Sequence, residues 1–218
     1  MNLTDETTDT YWGPLHANAY HGDYAAILKR NRQAYTTGAA HGVEPETLFR
    51  FDPKGKTLCD IGAGGGWDAA ACLGAGATEV FCLEVDTGLI EMGARSFREM
   101  EICSCRYSWV DVRSMDQKAF PRFDIMYSRA VFMHLPISIV EEYWRWTAER
   151  LKDDGQAHFQ LFQVDGRTEF HNSAVRMPDF DAERRLRDCG LKVTARREIR
   201  HPHMEPVWTM YELKKGTA

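Results

Sequence analysis

The sequence predicts an α/β fold with a mainly parallel sheet, and two observations carry that expectation. From Lys56 onward, short apolar runs alternate with stretches of helical periodicity, and the first apolar run ends in a glycine-rich loop that leads into a helix. Parallel strands are buried on both faces, so they read as short apolar runs, and each needs a crossover to bring the chain back into the sheet.

Taken in order, the first strand is 57–61, followed by the loop 60–66 and a helix over 68–73. A second strand at 80–83 leads to a helix over 89–100, with Leu89, Ile90, Met92 and Phe97 on one side. Strands at 107–110 and 123–127 follow, then a helix over 137–151 that stops at the turn Asp153-Asp154-Gly155. A fifth strand covers 157–162. The tail reads as a helix over about 181–189, a break at Gly190, and two closing strands at about 191–199 and 207–213. Residues before about 50 are aromatic and polar, with little periodicity. No repeat or low-complexity tract divides the chain.

Composition bounds the function. A chain of 218 residues with 44% hydrophobic and 27% charged residues is expected to fold as one globular body. No apolar run approaches the ~20 residues of a membrane span, and the acidic, polar start is unlike a signal peptide, so a cytoplasmic protein without membrane association is expected. A net charge of -5 disfavours a nucleic-acid partner. The basic residues Arg184, Arg185, Arg187, Lys192, Arg196, Arg197 and Arg200 read as a solvated face. The six cysteines sit mostly in apolar stretches and read as reduced; Cys103 and Cys105, with one residue between them, make a poor zinc signature.

The loop Asp60-Ile61-Gly62-Ala63-Gly64-Gly65-Gly66 carries the most chemistry. Glycines let a ligand lie against the main chain, and the helix that follows offers unpaired amides. Glu84 ends the second strand, where a carboxylate can accept two hydrogen bonds from the vicinal hydroxyls of a ribose. The loop and the carboxylate together describe a nucleoside pocket. A shifted register, Gly64-Gly65-Gly66-Trp67-Asp68-Ala69, also satisfies the dinucleotide pattern G-x-G-x-x-A. The register from Gly62 instead places Asp60 at the strand end, where a carboxylate suits an ammonium group and repels a pyrophosphate.

In that register, Asp60-Ile61-Gly62-Ala63-Gly64-Gly65-Gly66 resembles the D-x-G-x-G-x-G motif of class I S-adenosylmethionine-dependent methyltransferases. The resemblance extends over about 56–213. Glu84, with Val85 after it, matches the family's ribose-binding acid, and Val110-Asp111-Val112 resembles the motif whose Asp holds the adenine amino group. The stretch 123–135, with Ser128, Arg129 and His134, is similar to the fourth-strand motif. Leu151-Lys152-Asp153-Asp154-Gly155 resembles the turn written L-K-P-G-G. The resemblance implies a Rossmann-like seven-stranded sheet with an antiparallel last strand, and adenosylmethionine as cofactor. It divides the chain into an N-terminal helical lid or cap, 1–50, and an adenosylmethionine-binding domain, 51–218. The cofactor-binding residues it implies are Asp60, Gly62, Gly64, Gly66, Glu84, Val85, Asp111, Val112, Ser128 and Arg129.

Methyl transfer from a sulfonium is an in-line displacement that relies mainly on positioning, so few side chains are obligatory and no metal is required. A general base helps where the acceptor has a proton to lose. His134, just beyond the fourth strand, is the first candidate for it, ahead of His16, His21, His41, His201 and His203; it also reads as a packing residue at a helix start. No Asn/Asp-Pro-Pro-Tyr follows the fourth strand, which argues against the amide- and adenine-methylating branches. Tyr11, Tyr20 and Tyr24, in the aromatic segment that also holds Trp12 and Tyr35, are expected to line the acceptor pocket under a lid; a helix covering one sheet face is the other reading. The expected function is O- or N-methylation of a small molecule, with oligomeric state left open. The alternatives are a non-methylating adenosylmethionine-binding protein and, further off, a nicotinamide-dependent oxidoreductase.

Overall fold

In a computed structural model, residues 24–38, 51–114, 116, 119–163, 169–171, 174–201 and 204–216 are described. They form two compact units, one ending at Asp116 and the other made of the described residues beyond it.

The first unit contains α1 (Tyr24–Thr37), β1 (Thr57–Ile61), α2 (Trp67–Gly74), β2 (Glu79–Glu84), α3 (Thr87–Glu99) and β3 (Tyr107–Asp111). The three strands are parallel in the order β3-β2-β1. Ile61 pairs with Leu83 and Glu84 with Asp111, so the strand ends that carry the acidic residues share one edge of the sheet. Leu58, Cys59, Val80, Cys82 and Leu83 are fully buried, as apolar runs in parallel strands require.

Asp86 caps α3 by accepting a hydrogen bond from Leu89 N at 3.1 Å. The buried stripe of α3 runs through Leu89, Gly93, Ser96 and Phe97 rather than through Ile90 and Met92. The cause is Trp109 on β3: a Cβ on Gly93 would lie 2.3 Å from its indole, so the helix presents its smallest residue to the largest one. Phe97 meets the same indole edge-on at 5.7 Å.

Helix α1 showed no legible periodicity because a polar residue stands in its buried stripe. Ile27, Asn31 and Ala34, spaced four and three residues apart, are all within 1% of full burial. The helix packs closely along α2. Ile27 lies 3.4 Å from where a Cβ on Gly65 would be, and a Cβ on Gly74 would fall 1.9 Å from the carbonyl oxygen of Tyr35. Arg30 stacks its guanidinium 4.8 Å above the Trp67 ring.

The second unit contains β4 (Phe123–Ser128), α4 (Ile137–Arg150), β5 (Leu151–Gln163), β6 (Glu169–His171), β7 (Ala174–Met177), α5 (Asp179–Asp188), β8 (Leu191–His201) and β9 (Met204–Lys215). Strands β4 and β5 are parallel, with a register shift between Phe123 and Ile125, and Asp153-Asp154-Gly155, expected as a turn, lies inside β5 at that irregularity, the strand beginning directly after α4. The closing pair is present: β9 runs antiparallel to β5, pairing Ala157 with Leu213, and antiparallel to β8. The hairpin β6–β7 docks on β5 through β7 and escaped the sequence reading, because strands of three and four residues are too short to show alternation. Trp144, Trp146, Tyr127, Tyr211, Phe132 and Phe159 build this unit's core.

Three of the basic residues of the tail have acidic partners: Arg185 bonds Asp181 at 3.0 Å and Glu141, Arg184 bonds Asp181, and Arg196 bonds Asp179. Cys59, Cys72, Cys82 and Cys189 are buried free thiols, and Cys103 and Cys105 are exposed ones. Among the described residues no helix is long and apolar enough to cross a membrane.

His158 on β5 is 2% exposed, and burial, aided by the charge of Arg197, lowers its pKa from 6.5 to about 4. A depressed histidine pKa means that the native state resists a proton the unfolded chain accepts. Stability is therefore complete above about pH 6.5 and is lost as the pH falls towards 4, by about 3 kcal/mol in total. Urea unfolding at pH 7.5 and 4.5 should show a stability loss that His158→Gln reduces by about that amount.

Candidate cofactor site

The loop after β1 bends where the glycines permit it. Gly62, Gly64 and Gly66 have φ of 77°, 54° and 89°, in the left-handed region that side-chain-bearing residues avoid. Gly62 and Ala63 both donate to the Leu83 carbonyl at 2.9 Å, and Gly66 N donates to Ala63 O at 2.8 Å, which folds the loop over the end of β2. At Gly66 a Cβ would also approach Trp109 to 2.9 Å.

Glu84 organises this turn. Its carboxylate is 7% exposed and accepts three backbone hydrogen bonds: from Gly64 N at 2.7 Å, Val85 N at 2.7 Å and Asp86 N at 3.0 Å. Burial pushes the carboxyl above the ordinary glutamate pKa, and the three amides oppose that shift without cancelling it. A carboxylate offers about four acceptor sites, so three amides leave room for about one further donor rather than the two expected. The remaining acceptor capacity lies at a buried, polar strand end. Asp60 is 3% exposed at the end of β1, on the same sheet edge.

Asp111, at the end of β3, is held by Arg113 in a fork, with Nε 2.9 Å from Oδ1 and Nη2 2.8 Å from Oδ2. Arg113 N also donates to Oδ1 at 2.9 Å, and Arg113 holds the carboxyl below the usual aspartate pKa. Val112, 7% exposed, donates its N–H to the Glu84 carbonyl at 3.1 Å, which ties the β3 end to the β2 end. The first unit therefore gathers Asp60, Gly62, Gly64, Gly66, Glu84, Val85, Asp111 and Val112 on one sheet edge.

Ser128, Arg129 and His134 belong to the second unit. Ser128 is 1% exposed at the end of β4. Two residues on, Ala130 adopts φ 59°, an uncommon conformation for alanine, and its N–H donates to Oε1 of Gln160 at 2.9 Å. His134 is half-buried at the end of a single 3₁₀ turn, Phe132–His134, and its N–H bonds Val131 O at 2.9 Å. Tyr24 opens α1, with Arg95 of α3 3.9 Å over its ring. Tyr11, Tyr20, His16, His21, His41 and His203 lie outside the described residues, and His201 ends β8.

Three residues went unnoticed in the sequence. Asn31 donates to the Gly65 carbonyl at 2.8 Å, Arg113 clamps Asp111, and Gln160 is fully buried against the β4 loop. Arg113, two places after a motif aspartate, carried a local signal; Asn31 and Gln160 carried none, because their partners are distant in the chain.

A family model described as a methyltransferase domain matches residues 31–211. The chain belongs to that family. Its cofactor is S-adenosylmethionine, and the enzyme is a methyltransferase. The methyltransferase has structural counterparts at low identity. The 1,6-didemethyltoxoflavin-N1-methyltransferase of Burkholderia thailandensis, solved with 1,6-didemethyltoxoflavin and S-adenosylhomocysteine, is 16% identical with a TM-score of 0.65, over 97% of this chain and 87% of that one. The magnesium protoporphyrin IX methyltransferase of Synechocystis PCC 6803 is 13% identical with a TM-score of 0.64, over 98% of each chain. A candidate RNA methyltransferase of Pyrococcus horikoshii is 19% identical with a TM-score of 0.53, over 88% of this chain and 85% of that one. These likenesses show the Rossmann-like class I methyltransferase fold. No curated protein sequence matches the chain. Family membership decides against the nicotinamide reading of the shifted glycine register.

Glu84→Ala should weaken adenosylhomocysteine binding at least ten-fold by calorimetry, from loss of a charge-assisted bond worth on the order of 1.5–3 kcal/mol. Asp111→Ala should weaken it less, since Arg113 already occupies most of that carboxylate. Protonation removes Glu84 as a charged acceptor, so affinity should fall as the pH drops through its raised pKa; unchanged affinity in a folded Glu84→Ala protein would refute the ribose assignment.

Proposed function

We propose that the enzyme methylates a small-molecule acceptor at oxygen or nitrogen, with His134 as general base and with Tyr11, Tyr20 and Tyr24 contributing to the acceptor pocket. The observation that carries this reading is the turn after β4. It places a half-buried histidine four residues beyond an alanine held at φ 59°, and unusual backbone of this kind clusters where ligands are gripped. Two structural counterparts named for small-molecule acceptors, the toxoflavin-precursor and protoporphyrin enzymes, support it. The net charge of -5 disfavours a polyanionic substrate.

Bound adenosylmethionine supplies an electrophilic methyl group whose sulfonium sulfur leaves as a neutral thioether. The chain's own tasks are to fix the nucleoside through Glu84 and the glycine loop, to orient the acceptor, and to take the acceptor's proton at His134 as its lone pair forms the new bond to carbon. Ser128 and Arg129 are assigned to the cofactor side of the β4 turn. This chemistry requires no Lewis acid, so turnover is expected to be insensitive to EDTA; loss restored by magnesium would instead indicate a metal-chelated acceptor.

The test is release of adenosylhomocysteine across a panel of small hydroxylated, aromatic and N-heterocyclic acceptors, with bulk RNA and protein as comparisons. His134→Ala should lower turnover by ~10²–10⁴-fold with a near-parental melting temperature. A packing role would instead lower the melting temperature and leave the rate. Deleting residues 1–23 should reduce turnover more than stability. Preferential modification of bulk RNA would overturn the small-molecule reading.

A further inference from the structure

We infer that Asn31 is a positioning residue for the cofactor: it holds the glycine loop in its binding conformation from outside the loop. The inference rests on the cofactor assignment above but not on the acceptor or on His134. Asn31 lies in the middle of α1 and is fully buried. Its Nδ2 donates twice, to the Gly65 carbonyl at 2.8 Å and to Ser96 Oγ on α3 at 2.6 Å. Ser96 passes its own proton to Gly93 O at 2.8 Å, so its hydroxyl acts as an acceptor towards Asn31. Both bonds leave from one nitrogen, which fixes the amide's orientation. The opposite flip would set two oxygens against each other at Gly65.

Gly65 is where such a tie has most effect. It sits between Gly64 and Gly66, both in the left-handed region, and consecutive glycines are the most mobile backbone a protein can use. Glu84 holds one side of this segment through Gly64 N. Asn31 holds the other side through Gly65 O, and because a trans peptide points its carbonyl and amide in opposite directions, it also aims Gly66 N–H at Ala63 O, 2.8 Å away. Ile27, one turn earlier on α1, packs against Gly65. Without Asn31 the loop samples other conformations, and the cofactor must bear the ordering cost on binding.

Ser96 provides the control, because Ser96→Ala removes the bond between α1 and α3 but leaves the bond to Gly65. Asn31→Ala, Asn31→Leu and Ser96→Ala are compared by adenosylhomocysteine calorimetry and thermal unfolding. Asn31→Leu fills the same buried volume without a donor, and so guards against a simple folding defect. Both Asn31 variants are expected to bind about ten-fold more weakly, whereas Ser96→Ala stays within two-fold while its melting temperature falls as far as that of Asn31→Ala. The Gly66 amide nitrogen resonance, which senses a hydrogen bond on the preceding carbonyl, is expected to shift in both Asn31 variants and to stay in place in Ser96→Ala. Equal loss of affinity in Asn31→Ala and Ser96→Ala, or parental affinity in a folded Asn31→Leu, overturns the positioning role. A Glu84→Ala protein that keeps parental affinity, beside Asn31 variants that lose theirs, refutes the ribose assignment alone.

Discussion

The buried carboxylate of Glu84 is the constraint on which the rest of the first unit depends. At 7% exposure its oxygens need compensation, and three backbone amides from two separate segments provide it. Two of those amides begin the β2–α3 connection and the third belongs to the glycine loop, so one side chain fixes the end of β2 and the turn after β1 together. The β3 end follows through the bond from Val112 N to the Glu84 carbonyl. An apolar residue here would leave three amides to find other partners.

The packing around this point explains why the helices lie where they do. Trp109 needs glycine at both 66 and 93, and the contact of Tyr35 O at Gly74 brings α1 against α2 at backbone distance. Glycine in a helix normally costs about 1 kcal/mol relative to alanine, so Gly74 and Gly93 are tolerated because a side chain there would force helices or strands apart by more than an ångström. Close packing of this kind leaves α1 little freedom relative to the cofactor loop, and it makes Asn31 an effective restraint.

Much of the architecture was legible in the sequence because parallel strands and their crossover helices leave a strong pattern. The ends of β1 and β2, with the acids at 60 and 84, and the closing strand pair fell where apolar runs and turn residues placed them, while the acid at 111 and the antiparallel direction of the last strand came from the family resemblance. What escaped had physical reasons. The stripe of α1 is interrupted by buried Asn31, the strands β6 and β7 are too short to alternate, and the buried stripe of α3 runs through glycine and serine because Trp109 fills the space. Buried amides such as Asn31 and Gln160 look like surface residues until their partners, 34 and 30 positions away, are known. Glu84 was recognisable, but its three amides depend on the folded turn, and they reduce its spare acceptor capacity from two bonds to one.

Trp109 gives the molecule an optical property that its packing dictates. Its indole lies against Gly66 and Phe97, and its ring N–H finds no acceptor among the described residues. The emission wavelength of an indole depends on the dipoles around it, and here the peptides of the glycine turn at Gly66 lie against the ring. A change in those peptides therefore alters the surroundings of Trp109, one of six tryptophans in the chain, without any attached label.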